Sequence, residues 1–303
     1  ANNTTPKTSA PALSETIDLF RPYVEEGRNI VCFSISNSMS SSGNVMQLAA
    51  EELDAQDLIT VIDSANLSTG IGLLVIEAAI LAQNNKTAAE ISVAVESLKP
   101  YVRASFVVDT LTYLHRGGRC SAIAAMAGGL LKLHPQIIVE HGAMKPTKKY
   151  RGKMDSVILS YVKDMEPALK HARPDRVFIT HSGCEPTIIN AVRSYLEGLG
   201  IFREILETRG NFQPLRSRNP GRFIHRILIC LSFLSAEVTY LPTKRAGIFL
   251  PEIKSGNTQL PPALSEESGS AQQPGYPTSQ DSYAHDHAAV FSSFSEWKSS
   301  KSA

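Results

Sequence analysis

Six serines fall within eleven residues of this chain, in the stretch SISNSMSSSGN that spans residues 34–44. The stretch follows an apolar run typical of a buried strand, 29–33, and precedes a helical pattern that begins near Val45. Hydroxyl groups and free backbone N–H groups at a helix start face the positive end of the helix dipole. The loop could therefore receive an anion, either a phosphate or the carboxylate of a larger molecule. Alternatively, its serines could only cap the helix and fill a tight turn.

A second hydroxyl-rich loop follows the next apolar run. The run ends at Val61-Ile-Asp-Ser64 and leads through residues 65–69 into Gly70 and Gly72. Ligands of open α/β sheets bind at the carboxyl ends of strands. The second loop is therefore a further candidate for ligand binding.

Several familiar kinds of site are excluded by their missing motifs. Gly70 and Gly72 lack the third glycine and the downstream acid of a dinucleotide fingerprint. The chain contains no GxxxxGK[ST], no GxSxG and no HExxH. Nucleoside triphosphates, a hydrolase elbow and a zinc protease site therefore have no support.

Apolar runs alternate with helix-period segments along the first two thirds of the chain. Strands are predicted at 30–35, 59–62, 104–108, 137–139 and 177–180. Helices are predicted at 13–26, 43–53, 72–83, 87–99, 110–116, 122–130, 156–172 and 187–199. Strands that are apolar throughout and alternate with helices indicate an α/β fold with a mainly parallel sheet flanked by helices.

Composition indicates a cytoplasmic protein. The 30 basic residues against 29 acidic ones give no electrostatic reason to expect nucleic acid or an anionic membrane as a partner. The four cysteines form no CxxC pair and resemble free thiols in a reducing compartment. No apolar run approaches the roughly 20 residues of a spanning helix, so we expect no stable membrane insertion. The first residues also lack the basic and apolar regions of a signal peptide.

One segment of the chain resembles a known family signature over many residues. It is residues 111–137, LTYLHRGGRCSAIAAMAGGLLKLHPQI. This segment resembles the signature of the DegV family of fatty-acid-binding proteins, in which YLxxGGRI leads to GxLLxxKPI. Further blocks follow the family order over roughly residues 5–209: 8–12 resembles TSQPS, 35–44 resembles ISSxLSGTYQ, 62–72 resembles IDSxxxSxGxG, 148–151 resembles KxR, and 179–183 resembles the strand with HSG.

The resemblance implies a lipid carrier with a two-domain fold. It divides the chain into an N-terminal α/β domain over 1–108, an incomplete C-terminal α/β domain over 109–210, and a tail over 211–303 that is disordered or out of frame. Members hold one long-chain fatty acid in a tunnel, with its carboxylate at the interdomain cleft. They present it to a fatty acid kinase and need no cofactor of their own.

The resemblance also assigns ligand-binding residues. Thr8 and Ser40 would donate hydroxyl hydrogen bonds to the carboxylate, while Arg119 and Arg151 match arginines near the cleft mouth. An arginine fork suits a carboxylate or an acyl phosphate, although either arginine could instead be a surface ion-pair partner. The acyl chain would supply most of the affinity, at about 0.8 kcal/mol per buried CH₂.

Two departures from the family lie near the amino end. Ser41 and Ser42 stand where the motif has Gly and Thr, and Ser41 would be strained if that position needed positive φ. The sequence also begins after the family's first strand and its DSTxDL block, so the N-terminal sheet is expected to be incomplete.

A third departure begins after Arg209, where the family has SSHCGPGTLG, whose histidine helps to bind the carboxylate. A coding string for the family-like peptide ISSHCGPGTLGVLFI, read two bases later, encodes Phe212 to His225 without a mismatch. We therefore hypothesise a shifted reading frame near Gly210. The apolar run 227–234 is then expected to be accidental or loosely packed. Lipid binding by the chain as written is expected to be weak.

An enzyme acting on a small carboxylated or phosphorylated metabolite is the alternative function. Ser40 would be its nucleophile and His181 its base. Such a pair needs an acid that orients the histidine. Asp63 is the nearby candidate, although an aspartate at a strand end more often caps a loop.

Overall fold

A computed structural model describes residues 9–109, 133–209 and 228–236. The helices are α1 (Leu13–Glu25), α2 (Ser42–Glu52), α3 (Thr69–Gln83), α4 (Ala88–Leu98), α5 (Met154–Asp164), α6 (Glu166–Leu169) and α7 (Pro186–Gly198). The strands are β1 (Ile30–Ser34), β2 (Ile59–Asp63), β3 (Val102–Val108), β4 (Leu133–Glu140), β5 (Ala143–Arg151), β6 (Ala172–Ser182), β7 (Glu204–Arg209) and β8 (Leu228–Ser235).

The strands form two sheets. In the smaller sheet, β1 and β2 pair in parallel. The larger sheet has the order β5-β4-β3-β8-β6-β7. Within it, β6 and β7 are parallel, whereas the other four pairings are antiparallel. The α/β class is confirmed, but the prediction of a mainly parallel sheet is wrong for the larger sheet.

Strand β5 was missed because its sequence, AMKPTKKYR, is mostly polar. It lies at an edge of the larger sheet, where lysines discourage pairing with another chain. A turn of His141 and Gly142, both at positive φ, joins it to β4. Two-residue hairpin turns favour this backbone geometry because it matches the twist of the strands.

Strand β8 corrects the expectation that its apolar run is accidental or loosely packed. It lies between β3 and β6, and Ile229, Leu231 and Phe233 are fully buried. The buried Tyr161 hydroxyl accepts a hydrogen bond from the Leu231 amide (3.3 Å) and donates one to the Ser105 carbonyl oxygen (2.7 Å). This run, which follows the family-like segment, is therefore a central strand.

The core consists of three main apolar clusters in successive layers. The first joins α1 and α2 to one face of the smaller sheet. The second contains α3 and α4, which lie between the smaller sheet and the larger one. The third joins α5 and α7 to the opposite face of the larger sheet. The site residues are thus carried by loops at the ends of well-packed elements.

Helix α3 is tied to the larger sheet by charge as well as by packing. The Glu77 carboxylate accepts hydrogen bonds from the guanidinium groups of Arg173 (3.2 Å) and Arg176 (3.1 Å) at the start of β6. All three side chains are at least partly buried. Burial lowers the pKa of Arg173, whereas the neighbouring carboxylates of Glu77 and Asp175 raise it. The net result is a pKa above the ordinary value of arginine.

Cys32 and Cys230 are buried free thiols. Burial raises the pKa of Cys32 to about 12 and that of Cys230 to about 11, so both thiols are protonated and unreactive near neutral pH. No helix within the described ranges is long and apolar enough to cross a membrane. The helices predicted at 110–116 and 122–130, and the predicted tail over 211–303 apart from residues 228–236, lie outside those ranges. The domain division at residues 108 and 210 stays a prediction.

Candidate functional site

The serine loop, which we define as residues 34–44, joins β1 to α2 and lies beside the loop that follows β2. The Ser36 amide donates to the carbonyl oxygen of Asn66 at 2.9 Å, and the Ser64 amide donates to that of Ser34 at 3.2 Å. These backbone bonds continue the β1–β2 pairing beyond the strands. The structure therefore brings together the two hydroxyl-rich loops that the sequence singled out.

Asp63 connects the same two loops. One carboxylate oxygen accepts hydrogen bonds from the Asn37 amide at 3.3 Å and from the Ala65 amide at 2.9 Å. Asp63 therefore caps loops, as its place at a strand end suggested. It is not positioned by these contacts to orient a catalytic histidine.

The first half of the serine loop faces the tip of the β4–β5 hairpin. The Ser36 and Ser38 hydroxyls are 3.0 Å apart, and the Ser38 hydroxyl donates to the carbonyl oxygen of Gly142. A Cβ at Gly142 would lie only 2.6 Å from the Ser36 hydroxyl oxygen. This close approach requires a glycine at the tip, and it fixes the loop against the larger sheet.

The second half of the loop forms the start of α2. The Ser40 hydroxyl oxygen accepts from the Ser42 amide at 3.2 Å and lies 2.8 Å from the Ser42 hydroxyl. The first turn of α2 contains no acidic side chain to offset the helix dipole. If Ser42 donates to Ser40, the Ser40 proton is free for a ligand. The arrangement thus combines a helix cap with a donor for an anion.

Ser41 adopts φ −85°, so the strain considered for a positive φ does not arise. Gly43, in contrast, is closely surrounded. A Cβ there would lie 2.5 Å from the Asn37 side-chain oxygen and 2.9 Å from the Ser34 hydroxyl oxygen. Asn37 and Ser34 thus fill the space that a side chain at position 43 would need.

A cluster of hydroxyl groups anchors the second loop to the larger sheet. Thr69, the first residue of α3, lies within hydrogen-bond distance of Thr180 (2.8 Å) and of Ser232 (3.1 Å). Thr180 also shares a hydrogen bond with Thr208 at 2.9 Å. These groups satisfy one another in a buried setting, so they position α3 instead of offering free donors.

The other residues assigned by resemblance are placed differently. Thr8 and Arg119 lie outside the described residues. Arg151 is exposed and pairs with Leu133 at the end of β5 that is remote from the hairpin tip. At about 3.3 Å per residue, nine residues of strand separate it from Gly142 by roughly 30 Å. The hairpin therefore contacts the serine loop at its tip and carries Arg151 at its base.

His181 has an acidic partner that the sequence analysis did not find. Its Nε2 lies 3.2 Å from a Glu207 carboxylate oxygen, and the other oxygen accepts from Arg193 at 3.2 Å. Burial raises the pKa of Glu207, whereas the hydrogen bonds from His181 and Arg193 lower it. The net result is a pKa below the ordinary value of glutamate. Two parallel neighbouring strands bring these residues together. The register that would have revealed the pairing is not visible in the sequence.

The enzyme alternative would need Ser40 and His181 at one point. Ser40 lies in the loop that follows β1 of the smaller sheet, and that sheet lies beyond α3 and α4 on one side of the larger sheet. Along β6, Thr180 faces α3, so strand alternation turns His181 to the opposite side, toward α5 and α7. The larger sheet thus stands between the proposed nucleophile and the proposed base.

Comparison with known proteins gives a family match over most of the described chain. The family model described as "Uncharacterised protein, DegV family COG1307" matches residues 1–203. A DegV domain-containing protein of Clostridium acetobutylicum is 33% identical over 164 residues, which are 54% of this chain and 58% of that protein. The chain spans about three fifths of the length of the curated relatives it matches.

Solved structures share the fold at lower sequence identity. A DegV family protein from Thermus thermophilus, described by its fatty acid binding, superposes with a TM-score of 0.64 at 23% identity, over 76% of this chain and 79% of that one. The Fatty Acid Kinase (Fak) B3 protein of Streptococcus pneumoniae, loaded with linoleic acid, gives a TM-score of 0.63 at 18% identity, over 77% and 79% of the two chains.

Proposed function

The chain belongs to the DegV family, and from that premise we propose that it carries a long-chain fatty acid whose carboxylate binds at the serine loop. The carrier has no chemistry of its own in this proposal. It would act in the cytoplasm and present the bound acid to a fatty acid kinase.

The observation that carries the proposal is the position of Ser40 at the start of α2. Its hydroxyl can donate to a carboxylate while its oxygen caps the helix, and the helix dipole favours an anion at the same point. A hydrogen bond from a hydroxyl to a charged carboxylate contributes about 1.5–3 kcal/mol. Thr8, Arg119 and Arg151 remain part of the proposal by resemblance.

The identity of the ligand is supported by the solved relatives. The Thermus thermophilus protein is described by its fatty acid binding, and the Streptococcus pneumoniae protein was solved with linoleic acid. An acyl chain can supply most of the affinity through burial, at about 0.8 kcal/mol per CH₂. The name of the second relative, a Fatty Acid Kinase (Fak) B3 protein, supports a kinase as the partner.

The test begins with native mass spectrometry of the protein purified from a bacterial host. A fatty acid that co-purifies supports the carrier. Turnover of a small metabolite by protein without bound lipid would support the enzyme instead.

A pair of variants then locates the carboxylate. We expect Ser40→Ala to weaken binding of a fluorescent fatty acid about tenfold, since it loses one charge-assisted hydrogen bond. Ser41→Ala is the matched control because Ser41 is an exposed neighbour in the same loop whose side chain makes no capping hydrogen bond. Equal affinities for these two variants would remove Ser40 from the site.

A further inference from the structure

His181, Glu207 and Arg209 occupy one face of the larger sheet, at the edge where β6 and β7 end. Val177, Ile179 and Ile205 belong to the apolar cluster beneath α5 and α7. Because side chains alternate along a strand, His181 lies on that same face, as do Glu207 and Arg209. In the parallel register, His181 is directly opposite Arg209. This edge lies across the sheet from α3 and the smaller sheet.

The imidazole of His181 is held in one orientation. Its Nε2 lies within hydrogen-bond distance, 3.2 Å, of a Glu207 carboxylate oxygen. Arg193 donates one hydrogen bond to the other oxygen of Glu207 and another to the carbonyl oxygen of Ile205 at 2.9 Å. A carboxylate partner requires the proton on Nε2. In the neutral ring, Nδ1 therefore carries a lone pair and acts as a hydrogen-bond acceptor.

Among the described residues Nδ1 has no hydrogen-bond partner, although His181 is only 4% exposed. The two ring nitrogens diverge, so Nδ1 points away from Glu207. A buried polar atom without a partner is costly and unusual in a folded protein. The ring is thus positioned by its acid and lacks a donor on its other side.

Arg209 and the start of α7 are the features of this edge that favour an anion as the missing partner. Arg193 balances the charge of Glu207, while Arg209 is exposed at the end of β7. Helix α7 has thirteen residues, begins at Pro186 and has no acidic side chain in its first turn. Its N-cap residue, Glu185, makes no capping bond with its side chain. No side chain of the described residues therefore caps the backbone N–H groups at the positive end of the α7 dipole, where an anion can bind.

We propose that this edge binds inorganic phosphate. Near neutral pH, monohydrogen phosphate carries both negative charge and one O–H group. The O–H donates to Nδ1 of His181, and the charged oxygens face Arg209 and the start of α7. A fully ionised oxyanion such as sulfate offers no proton to Nδ1. The site is independent of the proposed lipid carriage, because it uses the other face of the sheet.

The experiment follows the imidazole nitrogens directly. The full chain is labelled with ¹⁵N-histidine and titrated with phosphate or with sulfate at pH 7.5 and constant ionic strength. The ring signal of His181 is the one that disappears in His181→Gln. We expect it to shift saturably with phosphate, and to need at least tenfold more sulfate, which lacks the one hydrogen bond.

Two arginine variants complete the test. Arg209→Gln, which alters an exposed side chain, should weaken phosphate binding at least fivefold. Arg203→Gln, near the opposite end of the same strand and 72% exposed, should leave it unchanged. The proposal is overturned if the His181 signal ignores phosphate, if sulfate binds equally well, or if the two variants behave alike. Isothermal titration calorimetry of the parent and of both arginine variants measures phosphate and sulfate affinity without assignment of the His181 signal, so the outcome does not depend on whether His181→Gln folds.

Discussion

Ser38 donates a hydrogen bond to the carbonyl oxygen of Gly142, a residue 104 positions away in the chain. The bond joins the serine loop to the tip of the β4–β5 hairpin. Because α2 begins a few residues after Ser38, the hairpin helps to fix where the helix start and Ser40 lie. The candidate carboxylate site thus depends on an element from another part of the chain.

Gly142→Ala should therefore destabilise the protein by about 1–3 kcal/mol, since alanine is strained at φ +76° and its Cβ would press against the Ser36 hydroxyl. Urea unfolding measures the change. The matched control is Gly200→Ala, at a similar φ of +64° but with nothing within 4 Å of its Cβ. The additional loss of stability at position 142 measures the cost of the contact between the new Cβ and the Ser36 hydroxyl. Equal losses would mean that the tip does not press on the loop.

Phe233→Ala tests whether β8 is a central strand. Phe233 is fully buried in the cluster beneath α5 and α7, so we expect a loss of about 3–5 kcal/mol in the free energy of unfolding. Val93→Ala, at a side chain that is 57% exposed, should cost less than about 0.5 kcal/mol. A loss as small at Phe233 would restore the expectation that this run packs loosely.

The capping box of α4 predicts a pH dependence. Hydrogen bonds from Lys86 and Thr87 lower the pKa of Glu90 from 4.5 to about 2. A depressed carboxyl stabilises the native state above its unfolded pKa, and that contribution is lost as the pH falls from about 4.5 toward 2. The urea midpoints of the parent and of Glu90→Gln should therefore differ at pH 6 and converge toward pH 3. A constant difference would contradict the assignment.

The shifted reading frame is decided by the gene. We expect an alternative frame near Gly210 to encode HCGPGTLG, and a variant with that frame restored should bind fatty acid more tightly than the chain as written. The restored variant with alanine in place of the motif histidine is its control, because it separates the histidine from the repaired strand. Absence of the motif from every frame ends the hypothesis.

Sequence reasoning located the elements with strong local signals. The serine loop between β1 and α2 was found because hydroxyl residues interrupt a strand and a helix pattern, and Asp63 was understood as a loop cap. Strand β5 was missed because its lysines give it no apolar strand pattern. Strand β8 was misjudged because its pairing depends on β3 and β6, which lie far away in the chain. Glu207 escaped notice because only the β6–β7 register brings it to His181. The assignments of Thr8, Ser40, Arg119 and Arg151 stay predictions.

Helix α3 is held to the larger sheet at two points, by the Thr69 hydroxyl cluster at its start and by Glu77 between Arg173 and Arg176 further along. Detaching it would break both sets of buried polar contacts. We therefore expect α3 to keep its place on the larger sheet when a ligand binds beside the serine loop, so that any rearrangement is confined to that loop and α2.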